Sequence, residues 1–238
     1  MSLPGLGVFP GRATGRAHLV DDPLALRSER AGLEVLLLPA LWWPVREPLP
    51  TDIAAILLIG EPSERGPSVN VPVVARVDAE IVREGEVVEV NGTLGRFAID
   101  GVEEVEVVTV FLERGNGDVL LLERSQKVGS FPGYWAGVSG FLEAPTPLEQ
   151  AFREVVEETQ LPADQLELAA QGPPVLARDG ARVFVVHPFR FLTGATDVAL
   201  NWEHVRSEWV RPKELRDRKI VPKLDRAWDS VAGPLPKG

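Results

Sequence analysis

The chain of 238 residues contains no cysteine, and this absence excludes several kinds of chemistry. No disulfide, thiolate metal site or cysteine nucleophile can be built from it. Long apolar runs are also missing, because the most apolar stretch, residues 33–45, is interrupted by Glu34 and Pro39 and is too short to span a bilayer. The first residues, Met-Ser-Leu-Pro-Gly, lack the basic and apolar segments of a secretory signal. We therefore expect a cytoplasmic protein that does not associate with membranes.

Positive charge is scarce as well. The 25 Lys and Arg side chains are outnumbered by 35 Asp and Glu, which gives a net charge of −10, and neither half of the chain is basic. We expect no nucleic acid polymer as a partner, since no basic surface is available to hold one. A protein of this charge that handles phosphates must do so locally, through a metal ion and a few cationic side chains. The length suits one large or two modest domains.

One stretch, residues 146–159, carries strong helix signals. Thr146 can cap the helix, Pro147 fits its first position, and Glu149 completes a Thr-x-x-Glu capping box. The apolar side chains Leu148, Phe152 and Val155 fall on one side, where they can be buried against a core.

The same stretch places three carboxylates, Glu154, Glu157 and Glu158, on one face of the predicted helix. Like charges at these spacings repel and weaken a helix. A bound divalent cation would reverse the sign of this effect, because hard cations prefer oxygen ligands. An acidic, solvated surface helix is the alternative interpretation of the same pattern.

This stretch and the preceding Gly140 resemble the Nudix box, G-x5-E-x7-R-E-U-x-E-E-x-G-U, where U is aliphatic. The matching residues are Arg153, Glu154, Val155, Glu157, Glu158 and Leu161. Three features depart from the pattern. The spacing from Gly140 to Arg153 is one residue short, the loop Glu is replaced by Pro145 or Thr146, and the late Gly is Gln160.

The resemblance implies a metal site with Mg²⁺ or Mn²⁺ on Glu154, Glu157 and Glu158, next to Gly140. Bound cations would neutralise phosphoryl oxygens and lower the pKa of a water. Arg153 would hold a glutamate in register by a charge-assisted hydrogen bond.

Nudix proteins commonly use a further acid from outside the box, as base or metal ligand. Glu203 is our candidate for this acid, and Glu143, just before the shortened loop, is an alternative.

Three residues near the box are predicted to contact the substrate. Arg124 could meet its phosphates, and Tyr134 and Trp135 could stack on a base or ring. Each has a structural alternative, since Arg124 could be an ordinary surface charge and Trp135 a core anchor.

Residues 1–101 resemble a second family, the swivelling phosphohistidine domain of phosphoenolpyruvate-utilising enzymes. The resemblance is carried by residues 10–15 (PGRATG), 71–74 (VPVV) and 84–95 (EGEVVEVNGTLG), in that order. The segment that would present the phosphoryl-carrying histidine, residues 61–68, contains none. We therefore expect a non-catalytic accessory domain that serves in packing, in forming a homodimer or in shaping a neighbouring cleft.

Together these resemblances predict an α/β protein. A β-rich swivelling-type β/β/α domain over residues 1–101 precedes an α/β/α Nudix sandwich with a mixed sheet over residues 102–238. The implied function is divalent-metal-dependent hydrolysis of the phosphoanhydride bond in a nucleoside diphosphate linked to another moiety. A ligand sensor or interaction module that has lost catalysis is the alternative. Isopentenyl diphosphate isomerase shares the fold, but its usual mechanism requires a cysteine.

Overall fold

The structure is a computed structural model that describes residues 2–20, 32–43, 49–63 and 69–233. It divides into two compact units, the first comprising Met1–Glu104 with Arg178–Val183, and the second Val105–Ala177 with Phe184–Gly238. The short segment from the later part of the chain groups with the first unit, where Arg178 forms an ion pair with Glu86 at 2.6 Å. No helix among the described residues is long and apolar enough to cross a membrane.

The first unit is β-rich, as its alternating and β-branched segments predict. Its eight strands are β1 (Leu3–Pro4), β2 (Leu6–Phe9), β3 (Arg12–Leu19), β4 (Glu34–Pro39), β5 (Ile53–Ile59), β6 (Val73–Val77), β7 (Val87–Asn91) and β8 (Arg96–Ile99). They form one mixed sheet in the order β1-β8-β7-β3-β4-β5-β6-β2, in which β3 to β6 are parallel neighbours. Parallel strands are buried on both faces, which explains the nearly continuous apolar runs of β4 and β5.

Helix is scarce in this first unit. Among its described residues, the only helical segment is a 3₁₀ turn at Ala40–Trp42. Within residues 61–68, whose sequence lacks the expected histidine, positions 64–68 lie outside the described part of the chain. A β-rich unit is therefore present, whereas the swivelling β/β/α arrangement stays a prediction.

The second unit is a sheet covered by a helix on each face. Its strands are β9 (Glu103–Glu113), β10 (Val119–Arg124), β11 (Trp135–Ala136), β12 (Val138–Phe141), β13 (Leu166–Gln171), β14 (Val175–Asp179), β15 (Arg182–Thr193) and β16 (His204–Val210). The helices are α1 (Pro147–Thr159) and α2 (Leu224–Val231), with 3₁₀ segments at Ala163–Gln165 and Pro212–Asp217. Neighbouring strands of the sheet lie in the order β11-β10-β9-β15-β13. In addition, β12 pairs with β9, β14 with β15 and β16 with β10.

Alternation along β10 separates the two cores. Leu120 and Leu122 belong to the core beneath α1, together with Ala151 and Val155 of that helix. Val119 and Leu121 belong to the core beneath α2. Because successive side chains of a strand point to opposite faces, one strand contributes to both layers. This arrangement is the predicted α/β/α sandwich. The apolar side of α1 packs on the sheet, and the loops around the helix determine the surroundings of its acidic side.

Candidate functional site

Helix α1 begins as its sequence predicts. The Thr146 hydroxyl accepts the backbone N–H of Glu149 at 3.2 Å and donates to the Glu149 carboxylate at 2.8 Å. The helix ends at Gln160, which has a left-handed φ of 57°. Glycine adopts this conformation without strain, so glutamine here costs roughly 1 kcal/mol. The departure from glycine at this position therefore leaves the helix end in the same conformation.

Glu158 is the buried acid of the helix. Its side chain is 2% exposed, and the backbone N–H of Ser139 on β12 donates to Oε2 at 3.4 Å. Burial raises the pKa of Glu158 well above its usual value, and the charges of Glu154 and Glu203 raise it further. Carboxyl groups that destabilise one another in a cleft are frequent at functional sites.

Glu154 lies one turn earlier and is half-buried. Its Oε1 accepts a 2.6 Å hydrogen bond from Nε2 of Gln150. Burial raises the pKa of Glu154, and the negative charges of Glu157, Glu203 and Glu143 also raise it. Glu154 and Glu158 therefore face a shared region that favours a cation.

Gly140 on β12 is required by the position of the Glu154 carboxylate. A Cβ atom added to Gly140 would lie 1.8 Å from Oε1 and 2.0 Å from Cδ of Glu154. The glycine therefore serves a close approach between strand and side chain, and not a turn.

Gln150 fastens the shortened loop to the helix. Its Oε1 accepts the backbone N–H groups of Glu143 at 3.0 Å and Ala144 at 2.8 Å, while its Nε2 donates to Glu154. The side chain of Gln150 is buried, and the three hydrogen bonds are partly buried. Gln150 was not foreseen from the sequence, although its i,i+4 spacing to Glu154 was the available signal.

Glu203 reaches the two helix acids from a distant part of the chain. It lies in the turn before β16, where its N–H donates to Oδ1 of Asn201 at 2.9 Å and its carbonyl accepts the N–H of Ser125 at 2.7 Å. Its charge acts on both Glu154 and Glu158. Its role as the outside acid, as base or metal ligand, stays a prediction.

Arg124 and His204 are cross-strand neighbours on the same side of the sheet. Arg124 donates from Nε to the Ser130 carbonyl at 2.9 Å, and its charge is felt by Glu158. Burial lowers the pKa of Arg124, while Glu158 and Glu203 raise it. Burial, followed by the charge of Arg124, lowers the pKa of His204 to about 4, so the ring is neutral at pH 7.

The second unit matches a known protein family. Residues 104–230, more than half of the chain, match the family model described as the NUDIX domain. The chain belongs to the Nudix family. This membership supports the predicted enzyme class, a pyrophosphohydrolase acting on acid anhydrides. The match does not include the first 103 residues.

Solved structures provide the second comparison. The MutT protein from Methanosarcina mazei Go1 is 21% identical, with a TM-score of 0.46 over 54% of this chain and 92% of that one. A C. elegans Ap4A hydrolase in a binary complex is 18% identical, with a TM-score of 0.46 over 53% and 93%. The E. coli dihydroneopterin triphosphate pyrophosphohydrolase is 19% identical, with a TM-score of 0.45 over 55% and 97%. A comparison with curated proteins finds no match.

Three other charged residues of the Nudix box region face solvent. Arg153 lies 3.5 Å from a carboxylate oxygen of Glu157 and 3.9 Å from one of Glu143. The exposed fractions of the Glu157 and Glu143 side chains are 60% and 74%. Arg153 and Glu157 form an ion pair at the surface, and the predicted role of Arg153 in holding a glutamate in register stays a prediction. Glu143 lies beside Arg153, and its charge acts on Glu154.

Trp135 lies on the sheet face opposite the Nudix helix, and Tyr134 precedes it in the chain. Trp135 packs against the core beneath α2, on the sheet face opposite α1, and the guanidinium groups of Arg206 and Arg218 lie 5.5 and 5.0 Å from its ring centroid. The ring of Tyr134 is 4.2 Å from Nζ of Lys219. The structural alternative for Trp135, a core anchor, agrees with this position, and the stacking roles stay predictions.

The donor set suits a hard cation, although it is not a closed cage. Among the described residues, no group of three His, Asp or Glu side chains is close enough to hold an ion. Glu154, Glu158 and Glu203 nevertheless act on one another electrostatically. Mg²⁺ usually takes one or two protein carboxylates and keeps several waters. The carboxylates therefore fit such an ion, with the remaining ligands supplied by water or substrate phosphate.

The close approach at Gly140 gives a testable prediction. We expect Gly140→Ala to lower turnover by about 10- to 100-fold, as for loss of a residue that orients a metal ligand. The added methyl group displaces the carboxylate of Glu154, a movable side-chain end, so the midpoint of thermal unfolding should change little. Steady-state kinetics and thermal melts would measure both effects.

Gly129→Ala is the matched control, because a Cβ at Gly129 meets no atom within 4 Å and its φ is not left-handed. If Gly140→Ala turned over as fast as Gly129→Ala, Glu154 would not need its present position.

Proposed function

We propose that this Nudix protein is a divalent-metal-dependent hydrolase that cleaves the phosphoanhydride bond of a nucleoside diphosphate linked to another moiety. The observation that carries the proposal is the acidic side of the Nudix helix, where Glu158 is almost fully buried and the Glu154 carboxylate lies so close to Gly140 that no Cβ would fit there. Acids that raise one another's pKa are unfavourable for folding by themselves. Binding of a cation would compensate for this cost.

Glu154 and Glu158 would hold Mg²⁺ or Mn²⁺, with Glu157 joining from the exposed side of the helix. Divalent metals are general among Nudix hydrolases. When bound, such an ion supplies charge neutralisation at the phosphoryl oxygens and a water of lowered pKa. Gly140 would contribute by leaving space for the Glu154 carboxylate.

The remaining chemistry would be performed by side chains of the chain. Glu203 accepts the proton of the attacking water while the water oxygen bonds to phosphorus. The phosphorus bond to the bridging oxygen breaks, and the leaving phosphate keeps the electron pair. Arg124, which is already oriented by Ser130, donates to the phosphoryl oxygens.

A Nudix-fold ligand sensor is the second candidate. It is favoured by the lost loop Glu and by the finding that no three acids of the described chain form a ready metal group. A sensor would bind a nucleotide and release no phosphate-containing product.

The experiment that separates the two functions is a screen of diphosphate compounds with Mg²⁺ and Mn²⁺, in which products are identified by mass spectrometry. The panel should include nucleoside triphosphates, dinucleoside polyphosphates and nucleotide sugars. Metal-dependent products support the hydrolase. Binding of a compound without any product, measured by calorimetry, would contradict it and favour the sensor.

Metal binding should also stabilise the protein in a pH-dependent manner. We expect Mg²⁺ to raise the midpoint of thermal unfolding relative to EDTA, since ligands of the native state stabilise it. Because the pKa values of Glu154 and Glu158 are raised, these groups keep their protons to a higher pH than an ordinary glutamate, and a cation must displace them. Mg²⁺ affinity should therefore increase as pH rises, and the stabilisation should be larger at pH 8 than at pH 6. Equal shifts at both pH values would contradict this linkage.

We further propose that the first unit is a non-catalytic accessory domain. The absence of histidine from residues 61–68 and the β-rich sheet support this role. Without a histidine in that segment, a phosphoryl group cannot be carried there. A homodimer formed through this unit stays a prediction, which the molar mass in solution would test.

A further inference from the structure

His204 is a buried ring without a partner. Its side chain is 1% exposed, and neither Nδ1 nor Nε2 has a hydrogen-bond partner. Buried polar groups in proteins are nearly always hydrogen-bonded, because an unsatisfied group loses its hydration without compensation. If His204 only filled space in the core, an apolar residue at this position would leave the stability of the fold unchanged or raise it.

The ring of His204 lies near the most buried acid of the site. Nε2 of His204 lies 3.9 Å from Oε2 of Glu158, whose side chain is also almost fully buried. A typical N–H···O hydrogen bond is about 3 Å long, so this separation is too long for a hydrogen bond by about 1 Å. A small movement of the Glu158 carboxylate toward β16 would close it.

A β-bulge aims His204 at this position. Glu123 pairs with Arg206, but the next residue, Arg124, pairs with His204, so that Val205 is the extra residue of the strand. Strict alternation from Arg206 would have placed His204 on the sheet face beneath α2. The bulge moves it to the face beneath α1, and bulges re-aim side chains in this way next to active sites.

We infer that His204 is a positioning residue for Glu158: its ring N–H donates to one carboxylate oxygen when the other oxygen holds the cation. This inference rests on the proposed metal-dependent hydrolase. It assigns to the ring the role that outer partners have at metal sites, where they fix the orientation of a ligand. It also explains why a polar ring is buried beside Glu158 with both ring nitrogens unpaired.

The test is Mn²⁺ binding by electron paramagnetic resonance, which is independent of turnover. We expect His204→Phe, which fills the space but cannot donate, to weaken Mn²⁺ affinity by about 10- to 100-fold. His204→Gln, which retains a donor, should recover part of this loss. In EDTA the unfolding midpoint of His204→Phe should be equal to or above that of the wild type, because the substitution removes a buried polar ring that has no hydrogen bond in the metal-free protein. If His204 had a purely structural role, the midpoint would fall even without metal.

His187→Phe is the matched control. His187 already has an acidic partner, since its Nε2 lies 3.1 Å from a carboxylate oxygen of Glu106. We expect this variant to bind Mn²⁺ like the wild type. A ring ¹⁵N spectrum gives a second measurement if His204→Phe does not fold, since the chain contains only three histidines. Addition of Mg²⁺ should shift a ring nitrogen of His204 and leave those of His187 unchanged.

The outcomes separate the two proposals. Unchanged Mn²⁺ affinity in His204→Phe, or an unshifted His204 ring, overturns the positioning role while metal-dependent hydrolysis by the wild type stands. Equal loss in His204→Phe and His204→Gln, together with a lower midpoint in EDTA, shows a structural role and also overturns it. A wild-type protein that binds no Mn²⁺ and hydrolyses no diphosphate overturns both.

Discussion

Replacing Glu158 by Gln should reduce turnover by roughly 10³-fold or more. Stabilisation of the transition state by a bound cation is worth several kcal/mol, and each ~1.4 kcal/mol corresponds to a factor of ten in rate. Glutamine has nearly the same shape as glutamate and can still accept the Ser139 N–H, so the fold should be retained. Steady-state kinetics on a compound found in the diphosphate screen would measure the loss.

Stability provides an independent readout for the same variant. Burial and the neighbouring acids disfavour the charged form of Glu158. In EDTA the Glu158→Gln variant, which is neutral at this position, should therefore unfold at the same temperature as the wild type or at a higher one. Glu167→Gln, a neutralisation of an exposed acid on β13, serves as the control that alters charge away from the site. Turnover of Glu158→Gln at the level of this control would disprove the metal role of Glu158.

Glu203→Gln should lower kcat by about 10²–10⁴-fold, the range expected for loss of a general base. We expect KM and Mn²⁺ affinity to change much less, because in our proposal Glu203 accepts the proton of water while Glu154 and Glu158 hold the cation. A parallel loss of Mn²⁺ affinity would instead make Glu203 a metal ligand.

Glu143→Gln is the decisive comparison, since both acids were candidates to replace the missing loop Glu. The Glu143 side chain is 74% exposed and lies 3.9 Å from Arg153 at the surface, so we expect a change of less than about tenfold. A larger loss for Glu143→Gln than for Glu203→Gln would reverse the assignment.

In the second unit, the sequence predicted the features whose signals lie within a few neighbouring residues. The cap at Thr146 and the apolar side of α1 agree with the structure. Strand β13, by contrast, shows no clear apolar alternation in its sequence, and none of its side chains is fully buried. Helix α2 begins at Leu224, just after Pro222, a residue that is not tolerated in the interior of a helix.

The sequence by itself placed Glu154 and Glu158 one turn apart on helix α1, which follows from the 3.6-residue period of a helix and needs no contacts from elsewhere. The resemblance of the same residues to the Nudix box rests on their types and order in the chain. The sequence also determined that no cysteine chemistry is available.

Only the tertiary structure decided which side chains act on the acidic side of α1. The charge of Glu203 acts on Glu158 from a turn about 45 residues later in the chain, a separation that a local pattern does not encode. The bulge in β16 reverses the face of His204, and strand pairing places Trp135 on the opposite face from Glu154. Register, bulges and sheet pairing depend on contacts between distant segments, so the helix could be predicted from the sequence and its surroundings could not.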